Sequence, residues 1–158
     1  MKMTANKKKE VLFNSRFEVC LRILLLLSKA TVWPLSTSTI SNIDFMAIYG
    51  REFGISGFDL HGENRYKFSQ LAARKSLIEE AIKKLVRLKL VAVDTTNGFR
   101  YMINDNGTDL IERMDDTYSC SYRKAIAEIF KKYDVSQPKE LEKILKKARV
   151  RKENDDYV

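Results

Sequence analysis

The sequence predicts a mostly α-helical chain with one small β-hairpin, and two neighbouring patterns carry this prediction. Between residues 75 and 88, apolar side chains recur at helical spacing and charged residues occupy the rest of the helix. Directly afterwards, "LVAV" and "FRYMI" flank "DTTNG", in which Asn97-Gly98 is a strong signal for a tight turn. A helix that leads straight into a two-stranded hairpin is therefore the centre of the predicted fold.

Two helices are predicted before this unit. The first runs from about Ser15 to Lys29, where Ser15 can cap the helix and Glu18 is placed for a capping box. Its surface is apolar around nearly the whole circumference, which indicates a buried helix. The second lies within "STSTISNIDFMAIYG" and ends at Gly50 or Gly54. A glycine-containing loop over 54–66 and a short helix over 67–74 then lead to the main helix.

Further helices follow the hairpin. "NDNGTDL" supplies a turn and the cap of a helix near 107–117, and "TYSCSYRKAIAEIFKKY" continues as a long helix. Ser136 and Pro138 open the basic amphipathic helix "KELEKILKKARVRK". This order of elements predicts a winged helix-turn-helix with extra C-terminal helices. We expect a flexible basic N-terminal arm over 1–13, a winged-helix core over 14–117, and a C-terminal helical extension over 118–158 with a frayed end.

The charge balance favours an anionic partner. Among 158 residues, 29 Lys and Arg stand against 21 Asp and Glu, which leaves a net charge of +8. Nucleic acid is the first candidate partner, although a merely solvated basic surface is an equal alternative. The most apolar run, "VCLRILLLLSKA", is interrupted by Arg22 and is too short to span a membrane. Neither a signal peptide nor a disulfide pattern is evident, so we expect a cytoplasmic protein.

The main helix is poorly suited to reading bases. Its leading turns are expected to present Lys75 and Ser76 followed by Glu79 and Glu80, and no Asn or Gln lies between 75 and 92. Non-specific contact with the DNA backbone needs only positive charge within reach. The candidate DNA-backbone contacts are Lys75, Lys83, Lys84, Arg87 and Arg100.

The aromatic content of the chain exceeds what a small winged helix needs to bury. Aromatic side chains are enriched at the centres of protein interfaces, which favours a surface for partner proteins. The alternative is that they simply close the core. The candidate partner-interface residues are Tyr49, Phe53, Phe58, Leu60, Tyr118 and Tyr122.

No pattern in the sequence predicts an enzyme. The single histidine, His61, lies in a loop, and no nucleophile or phosphate-binding motif accompanies it. Adjacent acids such as Asp115-Asp116 cannot point at one metal ion from a regular helix. We expect no catalytic residue, cofactor, metal site or small-molecule substrate; a small hydrolase that uses His61 is the disfavoured alternative.

Several segments, taken in order, resemble a known family. They are "DFMAIYGREFGI", "LHGEN", "ARKSLIEEAIKKLVRLKLV", "GFRYMINDNG" and "YSCSY". Together they resemble the middle component of ABC-three-component systems, the Lamassu-type anti-phage and anti-plasmid defence operons. The likeness covers roughly residues 14–130. Leu88-Lys89-Leu90 stands where the family pattern leads us to expect a glycine after the main helix, so the turn into the hairpin is expected to differ here.

The resemblance implies a function. Such systems pair an SMC-like ATPase with an effector, frequently a nuclease, and the middle component is similar to the winged-helix, kleisin-interacting subunits of SMC complexes. It would be a non-catalytic adaptor that bridges ATPase and effector and contacts double-stranded DNA non-specifically through the complex. The alternative hypothesis is a stand-alone winged-helix transcription regulator that binds DNA by itself.

Overall fold

The computed structural model describes residues 15–156 and shows a mostly helical chain with one two-stranded antiparallel hairpin, as the sequence predicted. The predicted N-terminal arm over 1–13 lies outside the described residues, as does the end of the chain at 157–158. In chain order the elements are α1 (Arg16–Leu27), α2 (Thr37–Ile48), a 3₁₀ turn (Phe68–Gln70), α3 (Leu71–Arg87), β1 (Val91–Asp94), β2 (Arg100–Ile103), α4 (Asp105–Glu112), α5 (Thr117–Lys132) and α6 (Pro138–Asp156). No helix within residues 15–156 has both the length and the apolar character needed to cross a lipid bilayer.

Polar side chains set the starts of several helices. The Ser15 hydroxyl accepts a hydrogen bond from the backbone N–H of Glu18 at 3.2 Å, which confirms the predicted cap of α1. The same geometry recurs at the starts of α2, α4 and α5, where the capping residues are Ser36, Asn104 and Asp116. The sequence had placed the start of α4 near residue 107, but Asn104 caps this helix and it ends at Glu112.

The two helices predicted over 67–74 and 75–88 are one helix. After the 3₁₀ turn, α3 runs without interruption from Leu71 to Arg87. The reason is that Ala72 and Ala73 are strong helix formers and no glycine or proline separates them from the amphipathic stretch. Lys75 therefore lies in the second turn of the helix. The sequence interpretation had placed Lys75 at the leading end.

A third β-segment joins the hairpin. β1 pairs with β2 in antiparallel register, from Val91 opposite Ile103 to Asp94 opposite Arg100. Leu35, between α1 and α2, pairs with Tyr101 on the other edge of β2, with backbone N···O distances of 3.0 and 2.8 Å. The connection between the first two helices is thereby fixed to the hairpin.

The joint between α3 and the hairpin is tight. Lys89 has a φ of 59°, in the left-handed region that favours glycine, at the position where a glycine was expected. The N–H groups of Lys89 and Leu90 bond back to the carbonyls of Val86 and Leu85, which closes α3 with a Schellman turn. Gly107 packs against this joint, and a Cβ there would collide with the Leu90 carbonyl oxygen.

One hydrophobic core extends through the whole described chain. Most residues of α1 and α2 are buried, and Ile78, Ala81, Ile82 and Leu85 of α3 pack in the same core. α5 contributes Tyr122, Ile126 and Ile129, and α6 contributes Leu141, Leu145 and Ala148. The segment after residue 117 thus packs onto the same core as the segment before it.

Candidate functional site

The most buried polar group is the carboxylate of Asp44 on α2. Its Oδ1 accepts hydrogen bonds from Arg22 Nε at 3.0 Å and from the Tyr122 hydroxyl at 2.7 Å. Its Oδ2 faces Nη2 of Arg22 at 3.4 Å and Nη2 of Arg74 at 3.3 Å. Asp44, Arg22 and Tyr122 are each no more than 1% exposed, so this cluster ties together α1, α2, α3 and α5 inside the core.

The charges in the Asp44 cluster stabilise one another. Burial alone would raise the pKa of the Asp44 carboxyl, but the positive charges of Arg22 and Arg74 outweigh it and hold that pKa below its ordinary value of 3.8. Burial, followed by the nearby carboxylate, raises the pKa of Tyr122 well above 10. At neutral pH the carboxylate is therefore ionised and the phenol is protonated. Because every one of these groups contacts another protein group, we interpret the cluster as structural: it holds the four helices together.

The loop between α2 and α3, residues 49–70, is held down by polar contacts from several elements. Lys67, itself buried, forms an ion pair with Glu52 with an Nζ···Oε2 distance of 3.0 Å. Lys132 of α5 donates to the carbonyl oxygen of Phe53 at 3.0 Å, and Arg151 of α6 donates to that of Glu52 at 3.1 Å. These contacts explain how a loop rich in apolar residues stays closed over the core.

His61 belongs to the same loop. Its Nε2 lies 2.7 Å from the Tyr118 hydroxyl, and the two rings stack with centroids 5.9 Å apart. Burial raises the pKa of Tyr118 to about 12, so the phenol is protonated at neutral pH. The pair links the loop to α5. No sequence pattern could have predicted it, since the two residues are 57 positions apart.

Half of the predicted partner-interface residues lie in the core of this chain, and the interface itself stays a prediction. Tyr49, Phe53 and Tyr122 are buried inside the chain. Their rings fill the space under the loop and between the helices. Leu60 and Tyr118 are half-buried, and Phe58 is 57% exposed. Of the six residues, Phe58 remains the one with a widely accessible side chain.

The structure exposes a different apolar surface, which the sequence interpretation missed. In the α1–α2 connection, Val32 is 73% and Trp33 is 59% exposed; in the hairpin, Val93 is 39% and Phe99 is 69% exposed. We use the name hairpin face for these four residues, which lie on the two segments that the Leu35–Tyr101 pair joins. Trp33 lines a groove with Asp94 and Arg100, whereas Val93 alternates with Asp94 along β1 and points to the other side of the strand. The one available signal was Trp33-Pro34, which the sequence shows only as a break after a helix.

A groove of about 460 Å³ lies beside the hairpin face. The α1–α2 connection, the hairpin and the α5–α6 connection form its three walls. Trp33 contributes an aromatic wall, Arg100 and Asp94 contribute opposite charges, and Pro138 closes the third side. This combination of an accessible aromatic ring with a few convergent polar groups is typical of a surface that binds another molecule.

The comparison with known families identifies the chain. The family described as ABC-three component (ABC-3C) system Middle Component 2 matches residues 12–154. This chain belongs to that family. No curated protein matches it, and no solved structure does. The family match extends through α6, whereas the resemblance seen in the sequence ended near residue 130.

Membership of a three-component system means that this middle component has protein partners. The residues predicted to contact DNA, by contrast, stay a prediction. Lys75, Lys83, Lys84 and Arg87 are exposed on α3, and Arg100 is half-buried beside the groove. Glu79 and Glu80 lie among the α3 cations, and Glu80 pairs with Arg16 at 3.7 Å. The exposed side of α3 is therefore of mixed charge.

Proposed function

We propose that this middle component is a non-catalytic winged-helix adaptor that bridges an SMC-like ATPase and an effector, such as a nuclease, in a Lamassu-type defence complex of the cytoplasm. The observation that carries the proposal is the hairpin face: Trp33 and Phe99 are accessible on a chain whose family is one component of a three-component system. Exposed tryptophan and phenylalanine beside a groove are typical anchors of protein interfaces.

The order of elements supports the winged-helix part of the proposal. A β-segment at Leu35 lies between α1 and α2 and pairs with the hairpin that follows α3. One feature departs from a DNA-reading helix-turn-helix, in which a turn of about 3–4 residues joins the two helices. Here residues 49–70 join α2 to α3, and the Glu52–Lys67 ion pair holds this segment closed over the core. We interpret the fold as a winged helix whose turn has been enlarged into a structural loop.

The polar clusters support a role without catalysis. The Asp44 carboxylate and its arginine and tyrosine partners are enclosed by the core, and His61 is engaged with Tyr118. We propose that ATP hydrolysis and nucleic-acid cleavage belong to the partner chains. Contact with double-stranded DNA through the complex, without sequence preference, is part of the same proposal.

Coexpression of this chain with the other two components of its system tests the adaptor role. We expect the three to elute together in size-exclusion chromatography and expect Trp33→Ala combined with Phe99→Ala to remove this chain from the complex. Phe58→Ala is the matched variant, since Phe58 is similarly exposed but lies in the 49–70 loop. Loss with Phe58→Ala alone would move the interface to the loop and contradict the hairpin face. A wild-type chain that elutes as a monomer beside both partners would refute the adaptor role.

A further inference from the structure

The C-terminal helix carries a second surface of a different chemical kind. α6 packs Leu141, Leu145 and Ala148 against the core. The opposite side of the helix exposes Lys139, Lys143, Lys146 and Lys147. These four residues, which we call the lysine stripe, follow the i, i+4, i+7, i+8 spacing that places side chains on one helical face.

The lysines of the stripe form no ion pair within residues 15–156, although Glu140 and Glu142 lie exposed along its borders. Within residues 15–156, the ion pairs formed by α6 are Arg149 with Glu153 and Arg151 with Glu52, and neither uses a stripe lysine. The Arg151 contact also fixes α6 to the 49–70 loop. The stripe is therefore a line of four like charges, presented by a helix whose other side is anchored.

We propose that the lysine stripe binds the phosphate backbone of a double-stranded nucleic acid without reading its sequence. From residue 139 to residue 147 the helix rises about 12 Å. A DNA duplex carries one negative charge per about 1.7 Å of its axis when both strands are counted, so a duplex segment of this length carries about seven phosphate charges. Lysine supplies flexible point charges, which suits backbone contact and not base recognition. This inference stands whether or not the chain is an adaptor.

Other classes of macromolecule fit the stripe less well. The centre of a protein interface needs apolar or aromatic side chains, and the one large apolar residue exposed on α6 is Val150. A single-stranded nucleic acid is usually gripped by aromatic rings that stack on its bases, and none lies on this helix. A regular array of charge without such anchors is matched best by the regular backbone of a duplex.

The lysine stripe also differs from α3, which the sequence favoured for DNA contact. On α3 the exposed cations Lys83 and Arg87 share their helix with Glu79 and Glu80, which repel phosphate. The four stripe positions of α6 are all lysines, and the exposed Glu140 and Glu142 border the stripe on its two sides instead of lying between the lysines. We therefore expect α6 to contribute more to duplex binding than α3.

The experiment uses the purified full chain and two unrelated 20-base-pair DNA duplexes, with binding followed by fluorescence anisotropy at several salt concentrations. Lys143→Gln combined with Lys147→Gln is expected to weaken binding to both duplexes by the same factor. The slope of log K against log salt should decrease in magnitude by about two. The matched control, Lys83→Gln combined with Arg87→Gln, removes the same charge from α3 and is expected to weaken binding less. Thermal melting checks that each variant is folded.

Several outcomes would overturn the proposal. They are an unbound wild-type chain at low salt, an α6 variant that binds like the wild type, and a larger loss in the α3 variant than in the α6 variant. A loss of affinity for only one of the two duplexes in the α6 variant would contradict binding to the phosphate backbone. If polyglutamate displaces the duplex and loses its own affinity in the α6 variant, the stripe is a docking site for acidic protein. A duplex RNA of equal length is then compared with the DNA duplex. Equal affinity for the two supports one site for the phosphate backbone of either, and a higher affinity for one identifies that nucleic acid as the ligand.

Discussion

Two groups of aromatic residues in this protein have opposite environments. Around α2 and the following loop, Phe45 lies 5.0 Å from Tyr49, 6.1 Å from Phe53 and 5.4 Å from Phe68 between ring centroids. These rings pack on one another inside the chain. At the hairpin face, Trp33 and Phe99 are exposed instead. The comparison teaches that aromatic content alone does not locate an interface.

The difference follows from what seals each region. The loop over 49–70 is closed by Lys67, Lys132 and Arg151, which bond to Glu52 and to the backbone of the loop. The α1–α2 connection is fixed near its end by the backbone pair of Leu35 with Tyr101, and this pair leaves the neighbouring Trp33 ring in solvent. Long-range polar contacts, and not local composition, therefore determine which aromatic residues are available to a partner.

The largest effect on stability is expected from Asp44→Ala, in the buried part of the molecule. The change leaves the Arg22 guanidinium in the core without its carboxylate, and breaking a buried ion pair in this way costs about 3–5 kcal/mol of unfolding free energy. Urea denaturation measures the loss. Glu63→Gln is the control, because its ion pair with Arg51 is exposed, and we expect it to behave like the wild type.

The same carboxylate gives a pH test. Because the folded protein holds the pKa of Asp44 below its ordinary value, its stabilisation is present at neutral pH and is lost as the pH falls below about 4. The wild type should lose its advantage over Asp44→Ala in that range. An equal difference in stability at pH 7 and at pH 3 would contradict our account of the cluster.

A smaller effect should separate the two aromatic groups directly. Phe53→Ala opens a cavity under the loop and should lower the unfolding free energy by about 3 kcal/mol, near the bottom of the range for such changes, because a loop can relax. Phe99→Ala removes a ring that is already exposed and should change stability by less than about 0.5 kcal/mol. Urea denaturation of both variants makes the comparison. Similar losses in both would mean that the hairpin face is part of the fold and not a surface for partners.

Local patterns in the sequence predicted much of this fold. The hairpin was predicted from Asn97-Gly98 and its flanking strands, and the Ser15 cap was predicted from one residue and its spacing. Both depend on neighbours within a few positions. The sequence analysis divided α3 into two helices. The structure shows one, because the alanines at its start favour a helix and do not interrupt it.

The candidate site was predicted less well, for a physical reason. The Asp44 cluster, the His61–Tyr118 pair and the Leu35–Tyr101 pair each join residues far apart in the chain. Which aromatic residues are buried depends on these contacts. A single sequence reports which residue types are present, but it does not report which distant charge closes which loop, so it could not show that Tyr49 is buried and Trp33 is exposed.

A smaller effect than that of Phe53→Ala, and of opposite sign, is expected at the joint between α3 and the hairpin. Lys89 has the left-handed φ of 59°, which costs a residue with a Cβ about 1–2 kcal/mol, whereas glycine adopts it freely. Part of that gain is offset because glycine makes the unfolded chain more flexible. Lys89→Gly should therefore raise the unfolding free energy by about 0.5–1 kcal/mol.

The control for this last change is the same replacement one turn earlier. Lys84 is exposed inside α3, so Lys84→Gly should lower the unfolding free energy by about 1 kcal/mol, opposite in sign to Lys89→Gly. Urea denaturation gives both values. Because Lys89→Gly relieves backbone strain at the base of the hairpin without altering Trp33 or Phe99, partner binding should stay at the wild-type level while stability rises. A variant that gains stability and loses its partners would mean that strain at this joint, and not the exposed rings alone, tunes the hairpin face for binding.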